Sequence, residues 1–415
     1  MNNYSINREE LLSKIENNSL VILYSGALKQ ISADENYPFK VNMNFYYLTG
    51  INQDNVYYLA KKENNQVKEY LFIYKNDPLK VRWIGAYLYE DEARNISGIN
   101  EIHYVEEFNS FLTKMLRPNK IKRVYLDLEL PSFEGQVNFG YKLKDLVSAL
   151  AFDKKIIDIY PEIVKLRGVK KPYEVELFKE DVRITNLALQ EVMKHLKNLE
   201  YEYQVQAVFE GSIRYFGNAT TSFDTIAASG KNAAILHYRD NSMKMDHNDM
   251  ILLDLGAENN MYHADISRTY PLSGKFNDLQ RKIYTIVLNC NKHIISLAKP
   301  GVTIRDLQNE TISFLADSCL KEGLIKEKEE IHNYYFHGIS HHIGLDTHDP
   351  YPRYQGVLVP GMIISCEPGL YFENLGIGVR IEDDLLITED GCENLSKDII
   401  KEIDDIENYM GVCHN

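Results

Sequence analysis

Apolar residues along this chain follow two regimes. In the first part, short runs rich in Tyr, Val, Ile and Leu alternate with helix-spaced segments. Residues 21–24, 56–60, 70–74 and 123–128 predict strands. The apolar spacing over 140–151 predicts a helix. Together they predict a small α/β domain ending near Tyr160. Residues 161–172 hold Pro161, Pro172, Gly168 and a basic cluster (Lys165, Arg167, Lys170, Lys171), and look like a join.

From Pro172 the period becomes that of a long amphipathic helix, with Val175, Val182, Ile184, Leu187 and Leu189 among charged positions. Further helices are predicted over 203–215, 277–297 and 303–321. Pro300-Gly301 separates the last two, and Gly323 is a C-cap candidate. Strands fill the intervals and close the chain. Neither a low-complexity tract nor a short repeat is visible.

Two of the predicted hairpins carry paired acids inside apolar runs. In the first, residues 250–255 and 262–270 flank Asn259-Asn260. Asn tolerates positive φ, so this pair predicts a two-residue turn that sets Asp254 opposite Asp265. Directly opposed residues have Cβ atoms about 5 Å apart. In the second, residues 362–372 and 376–388 surround 373–376, with Glu367 and Glu382 symmetric about the loop. Carboxylates so close among Leu and Ile repel and are desolvated, unless a cation lies between them. The ordinary reading of one such pair is a solvated surface acid, which runs such as LLDLG, IISCEPG and VRIEDDLLI oppose.

Between the two hairpins stands FHGISHHIGLDTHD, with His337, His341, His342 and His348, four of the chain's twelve histidines. A lone His is usually a satisfied core or surface residue. One imidazole with four carboxylates suits two divalent ions of the manganese, cobalt, iron or zinc type. Two such ions activating one water are a hydrolytic device. The residues alone do not say which histidine would serve.

At this point the chain resembles a known family. Two Asp with ten residues between them across a hairpin, then HGISHHIGLDTHD, EPGLY and GVRIEDDLLIT, are similar to the pita-bread metallopeptidases, in the branch of Xaa-Pro aminopeptidase (aminopeptidase P) and prolidase. ILHYRDN, ADISRTYPLSGKF, RGVKKPYEVELFK and the N-terminal NFYYLTGI and VRWIGAYLYEDEA belong to the same pattern, so the resemblance covers nearly the whole chain. It implies an α/β N-terminal domain (1–160, aminopeptidase P type), a linker (161–172) and an α+β pita-bread catalytic domain (173–415). It implies Asp254, Asp265, His341, Glu367 and Glu382 as ligands of two divalent ions, with manganese first and cobalt, zinc or iron as alternatives. Asp254 would chelate one ion, Asp265 and Glu382 would bridge both, and His341 and Glu367 would complete the other. His342 is the alternative imidazole.

The resemblance also implies hydrolysis of the bond between an N-terminal residue and a following proline, by attack of a metal-bridging hydroxide. Glu367 would shuttle the proton. His237 and His348 would contact the substrate and the tetrahedral intermediate, with His337 a further catalytic imidazole. Bland readings exist for each: a strand-end core residue for His237 and a loop residue held by Asp346 or Asp349 for His348. Arg380, on the strand face of Glu382, would orient the bridging carboxylate. Tyr371, on the face of Glu367, would line the substrate pocket. Asp383 and Asp384 read as solvated or structural. The alternatives are a prolidase restricted to dipeptides, and a catalytically inactive peptide-binding relative, against which all five ligand positions argue.

Composition narrows the setting. The 415 residues suit two domains, and 44% hydrophobic content supports sizeable cores. A formal charge of −14 disfavours non-specific nucleic-acid binding. No apolar run reaches the roughly 18 residues of a membrane span, and the first residues lack a secretory h-region. Five cysteines without CxxC spacing (Cys290, Cys319, Cys366, Cys392, Cys413) read as thiols in a cytoplasm. Cys366 beside Glu367 reads as packing. A homodimer or homotetramer is expected, because the segment around Trp83, the single tryptophan, resembles one that reaches a neighbour's active site in some relatives. The competing reading of Trp83 is a core residue of a strand.

Overall fold

The computed structural model describes residues 2–117, 120–130, 138–351 and 356–412, which leaves Cys413 outside the described residues. The chain divides into two compact units, Met1–Arg167 and Gly168–Asn415. The expected join is partly helical: Tyr160–Gly168 is a helix and the boundary falls near its end.

The first unit is built on a six-stranded sheet. Its strands are β1 (Ser19–Tyr24), β2 (Tyr57–Glu63), β3 (Gln66–Ile73), β4 (Glu101–Tyr104), β5 (Arg123–Leu126) and β6 (Lys155–Asp158), in the order β4-β3-β2-β1-β5-β6. β1 lies antiparallel to β2 and parallel to β5 inside the sheet, and every residue of it is buried. Leu20, Ile22, Leu59, Phe72, Val124 and Leu126 meet Phe108, Leu112 and Val147 from the helices Phe108–Leu116 and Phe139–Leu150 in one core. The β2–β3 hairpin closes on Asn64 and Asn65, both at positive φ as a tight turn requires. β4 and β6 escaped prediction because they are the two edge strands, partly exposed and with charged ends (Glu101, Lys155, Asp158) in place of an apolar run. Trp83 is not a core residue of a strand. It sits on the short helix Pro78–Ile84 and is 89% exposed, with Leu79 and Ile84 also exposed.

The second unit is α+β. The helices Pro172–His195 and Glu202–Gly217 lead into β7 (Thr220–Thr221), β8 (Ile226–Ser229), β9 (Met250–Leu255), β10 (Ala257–Asn259), β11 (Tyr262–His263) and β12 (Ile266–Pro271). The helices Asp278–Leu297 and Ile304–Lys321 precede β13 (Ile363–Cys366), β14 (Gly369–Phe372), β15 (Ile377–Arg380), β16 (Asp383–Ile387) and β17 (Cys392–Asn394). Small antiparallel sheets result: β12-β9-β8, β11-β10-β7, β13-β16-β17 and β14-β15. Gly323, at φ +70, follows the second helix of the middle pair, as its sequence position predicted.

The two acidic hairpins differ from each other in register. In the second, Cys366 pairs with Asp383 and Gly369 with Arg380, and this one continuous register sets Glu367 level with Glu382 as predicted. In the first, the turn is Asn260-Met261, at φ 54 and 70, one residue beyond the predicted pair. Asn259 then faces Tyr262 and Asp254 faces Ser267, not Asp265. Asp265 falls in the gap between β11 and β12. There the strands draw so close that a Cβ on Gly256 would lie 1.8 Å from the Ala264 carbonyl oxygen, so only glycine fits.

Candidate metal centre

Chain segments distant in sequence deliver the acids and the imidazole to one place. Asp265 N–H donates to Asp384 Oδ2 at 3.3 Å. Glu367 N–H donates to the Ile339 carbonyl at 3.0 Å. Glu382 N–H donates to the Ser267 carbonyl at 3.0 Å, which binds the second hairpin to the first. His341 N–H donates to Ser365 Oγ at 2.9 Å. Its Nδ1 lies 3.1 Å from the His342 carbonyl, and a proton there leaves Nε2 facing the acids. Nε2 is 3.3 Å from Asp265 Oδ2, 3.6 Å from Glu367 Oε1 and 4.0 Å from Glu382 Oε1. Donor atoms of Asp265, His341 and Glu382 all lie within 4.8 Å of one another, a mixed imidazole–carboxylate set that fits a divalent ion. His342, by contrast, stacks on Tyr351 with ring centroids 4.2 Å apart. Among the described residues the group formed with Asp265 and Glu382 contains His341, not His342.

Burial pushes the Glu382 carboxyl well above its ordinary range, and repulsion from Asp265, Glu367 and Asp254 adds to it. Glu367 rises to about 7 for the same reasons, with His341 and Arg380 opposing. Asp254 rises through burial, against the pull of Arg380. Burial also opposes the His341 imidazolium, but the Asp265 hydrogen bond and the charges of Asp265 and Glu367 outweigh it and raise the ring to about 9. Four acids with one nearby arginine are short of positive charge, and a bound cation removes that deficit.

Residues 176–389 match the model of metallopeptidase family M24, and residues 4–125 match the aminopeptidase P N-terminal domain. The protein named Xaa-Pro aminopeptidase in Haemophilus influenzae is 33% identical over 97% of this chain and 96% of its own length. Human Xaa-Pro aminopeptidase 3 is 30% identical over 97% of this chain and 85% of its own length. The chain belongs to metallopeptidase family M24. Among solved structures, a zinc-substituted Escherichia coli aminopeptidase P in complex with product superposes with a TM-score of 0.91 at 28% identity, covering 100% of this chain and 98% of that one. A candidate aminopeptidase P from Bacillus anthracis gives 0.96 at 41% identity, covering 99% of both chains. The catalytic unit has the pita-bread fold and follows in sequence an α/β N-terminal domain of aminopeptidase P type, and the chain is a metallo-exopeptidase.

Around the acids of this M24 enzyme runs a continuous polar chain. Arg380 donates from Nη2 to Asp254 Oδ2 at 2.7 Å, from Nε to Ser267 Oγ at 2.7 Å and from Nη1 to Tyr371 Oη at 3.0 Å. Ser267 Oγ also lies 2.8 Å from Glu382 Oε2 and 3.2 Å from Asp254 Oδ1, so its one proton serves two acids. Tyr371, predicted on the pocket wall, is only 2% exposed. Its hydroxyl joins Arg380 to His337, whose Nε2 is 2.8 Å away. His337 Nδ1 lies 2.8 Å from the Gly338 carbonyl, and burial takes this imidazole down to about 4. The His348 ring meets that of His341 edge-on at 4.4 Å between centroids. His237 is not the strand-end core residue of the bland reading: it is exposed on a turn.

Two features were missed in the sequence. Ser267 gave no signal beyond being polar in a wholly buried strand. Glu202, fully buried at the start of its helix, takes five hydrogen bonds: Ser229 N–H and Oγ and Asn232 Nδ2 on one oxygen, Tyr238 Oη and Met243 N–H on the other. These fasten the segment that carries His237. Only its place in the first turn of a helix marked it.

Proposed function

We propose that this enzyme removes the N-terminal residue from peptides with proline in the second position, using two divalent ions held by Asp254, Asp265, His341, Glu367 and Glu382, with manganese the best activator. The observation that carries the reading is the gathering of five ligand-type side chains, four of them acids, where the protein supplies one arginine. The names of the bacterial and human relatives support the proline specificity.

When bound, such ions supply a water of lowered pKa and polarise the scissile carbonyl. The chain's own residues do the rest. Arg380 and Ser267 hold Asp254 and Glu382 in place by the bonds described above. Glu367 accepts a proton during attack and returns it to the proline nitrogen, which leaves as a secondary amine. His348 and His237 donate to the carbonyl oxygens around the reacting bond. Proline offers no N–H, so recognition relies on ring shape and on the carbonyl beyond it. The Arg380–Tyr371–His337 chain fixes the third imidazole.

The test is a chelated sample, restored with Mn²⁺ and assayed on an Xaa-Pro-Xaa tripeptide, an Xaa-Ala-Xaa tripeptide and an Xaa-Pro dipeptide. Rapid cleavage of the proline tripeptide only after metal return is expected. Equal cleavage of both tripeptides refutes the proline reading, and cleavage of the dipeptide alone makes the enzyme a prolidase.

Assembly into a dimer or tetramer is part of the proposal, and the exposed Leu79, Trp83 and Ile84 of one helix support it. Sedimentation of a fully active monomer would remove that part. A cytoplasmic setting accords with the free buried thiols of Cys290, Cys319 and Cys366, and no helix among the described residues is long and apolar enough to cross a membrane.

A further inference from the structure

The loop carrying His341 and His348 is held from behind by a buried ion pair that the catalytic reading does not use. Lys170 Nζ lies 3.1 Å from Asp349 Oδ2, and both side chains are 1% exposed. Lys170 belongs to the basic cluster that looked like a mere join. Its own N–H donates to the Gly361 carbonyl at 2.7 Å, so the lysine is anchored at both ends.

Asp349 passes this anchorage on. Its N–H donates to the His342 carbonyl at 2.8 Å, the same oxygen that faces His341 Nδ1 at 3.1 Å. Its Oδ1 takes the Asp346 N–H at 3.3 Å, and its chain neighbour His348 meets the His341 ring. The loop wraps the pair tightly: a Cβ on Gly344 would lie 2.7 Å from Asp349 Oδ2 and 2.9 Å from Lys170 Cε. A hydrophobic pair of similar volume would stabilise a fold at least as well as a buried ion pair, so what the charges add is direction. Here the direction ends on a carbonyl that sets an imidazole.

We propose that Lys170 is a positioning residue of the metal centre: bonded to Asp349, it fixes residues 342–349 so that the His342 carbonyl orients His341 and His348 stays against its ring. The proposal rests on His341 being a metal ligand.

Two variants of the full chain test it, Lys170→Met and Lys170→Met/Asp349→Asn. The double variant leaves no uncompensated charge and keeps the Asp349 N–H position, so it remains informative where the single variant does not fold. Co²⁺ is titrated into each chelated protein, and affinity, visible spectrum and kcat are read beside the melting temperature of the metal-free form. The expected result for the double variant is a folded protein with metal affinity or kcat lowered by about tenfold and a changed cobalt spectrum. A folded double variant with the affinity and spectrum of the unmodified protein overturns the proposal, even if its melting temperature falls, because that is a structural role alone. Absence of cobalt binding by the unmodified protein instead sinks the metal reading itself.

Discussion

Glu382, Asp383 and Asp384 are consecutive and fully buried, yet they face opposite surroundings. Asp383 points to a side where the protein supplies cations: Arg268 Nη2 lies 2.8 Å from Oδ1, Lys401 bonds Oδ2, and Ser396 and Asn394 add further donors. Burial opposes its ionisation, but Arg268 and Lys401 prevail and take it down to about 2. Glu382 and Asp384 point to the other side of the alternating strand, toward Asp265, and both are pushed well up by burial and by that like charge. One side is charge-balanced by the fold, and the other is where the proposed ions would bind. Burial of an acid therefore does not by itself mark function; what sets this side apart is several buried acids gathered together with an imidazole.

The sharpest way to break this contrast is to neutralise one acid from each side. Asp254→Asn or Glu382→Gln should lower kcat by at least about a thousandfold, some 4 kcal/mol of transition-state stabilisation, while the metal-free protein melts no lower than the unmodified one. Retained activity in a metal-replete assay would remove that residue from the centre. Asp383→Ala should do the reverse. It leaves Arg268 buried without its partner and should cost about 3–5 kcal/mol, a fall near 10 °C in melting temperature, with metal binding retained in whatever folds. Equal losses of stability on the two sides would erase the distinction.

A smaller effect sharpens the same contrast. If only the Glu382 side awaits a cation, Mn²⁺ at a hundred times its dissociation constant should stabilise the chelated protein by about 2.7 kcal/mol. Thermal melts of Glu382→Gln should show little of that rise, and those of Lys401→Met should show it undiminished. A full rise in Glu382→Gln would place the ion elsewhere.

What the sequence disclosed follows the range of the interactions involved. The Glu367–Glu382 register was legible because one short loop sets it. The Asp254 hairpin was misread because Met261 adopts positive φ, a conformation sequence preference assigns to Asn. Four of the second unit's five described α-helices were legible from periodicity, the last, Ile403–Val412, was not, and the half-exposed edge strands β4 and β6 offered no apolar run. His341 could be told from His342 only by resemblance, since its orientation depends on a carbonyl held by Asp349. Ser267, Glu202 and Lys170 act through partners distant in sequence, and composition carries no trace of such contacts. Asp383 and Asp384 were read as solvated or structural; both are buried, and only Asp383 is balanced by protein cations.

Asp181 offers the smallest and cleanest variation on the comparison, an unbalanced buried acid outside the metal centre. It lies on the helix Pro172–His195, where Oδ1 accepts the Asn259 N–H at 2.8 Å and Oδ2 is buried with no hydrogen-bond partner. Burial raises its carboxyl to about 9, with the Asn259 bond opposing and the charge of Glu258 adding. The folded protein thus keeps a proton that the unfolded chain releases near pH 4. Its stabilising contribution is complete below that value and declines as pH rises toward 9. Asp181→Asn keeps the shape and the Asn259 bond while removing the titration. It should leave stability unchanged at pH 4 and raise it by about 1–2 kcal/mol at pH 8, after discounting for local relaxation. Denaturant melts across that interval decide the matter. A variant less stable than the parent at pH 8 would mean that Asp181 is ionised in the fold and that burial does not hold its proton there.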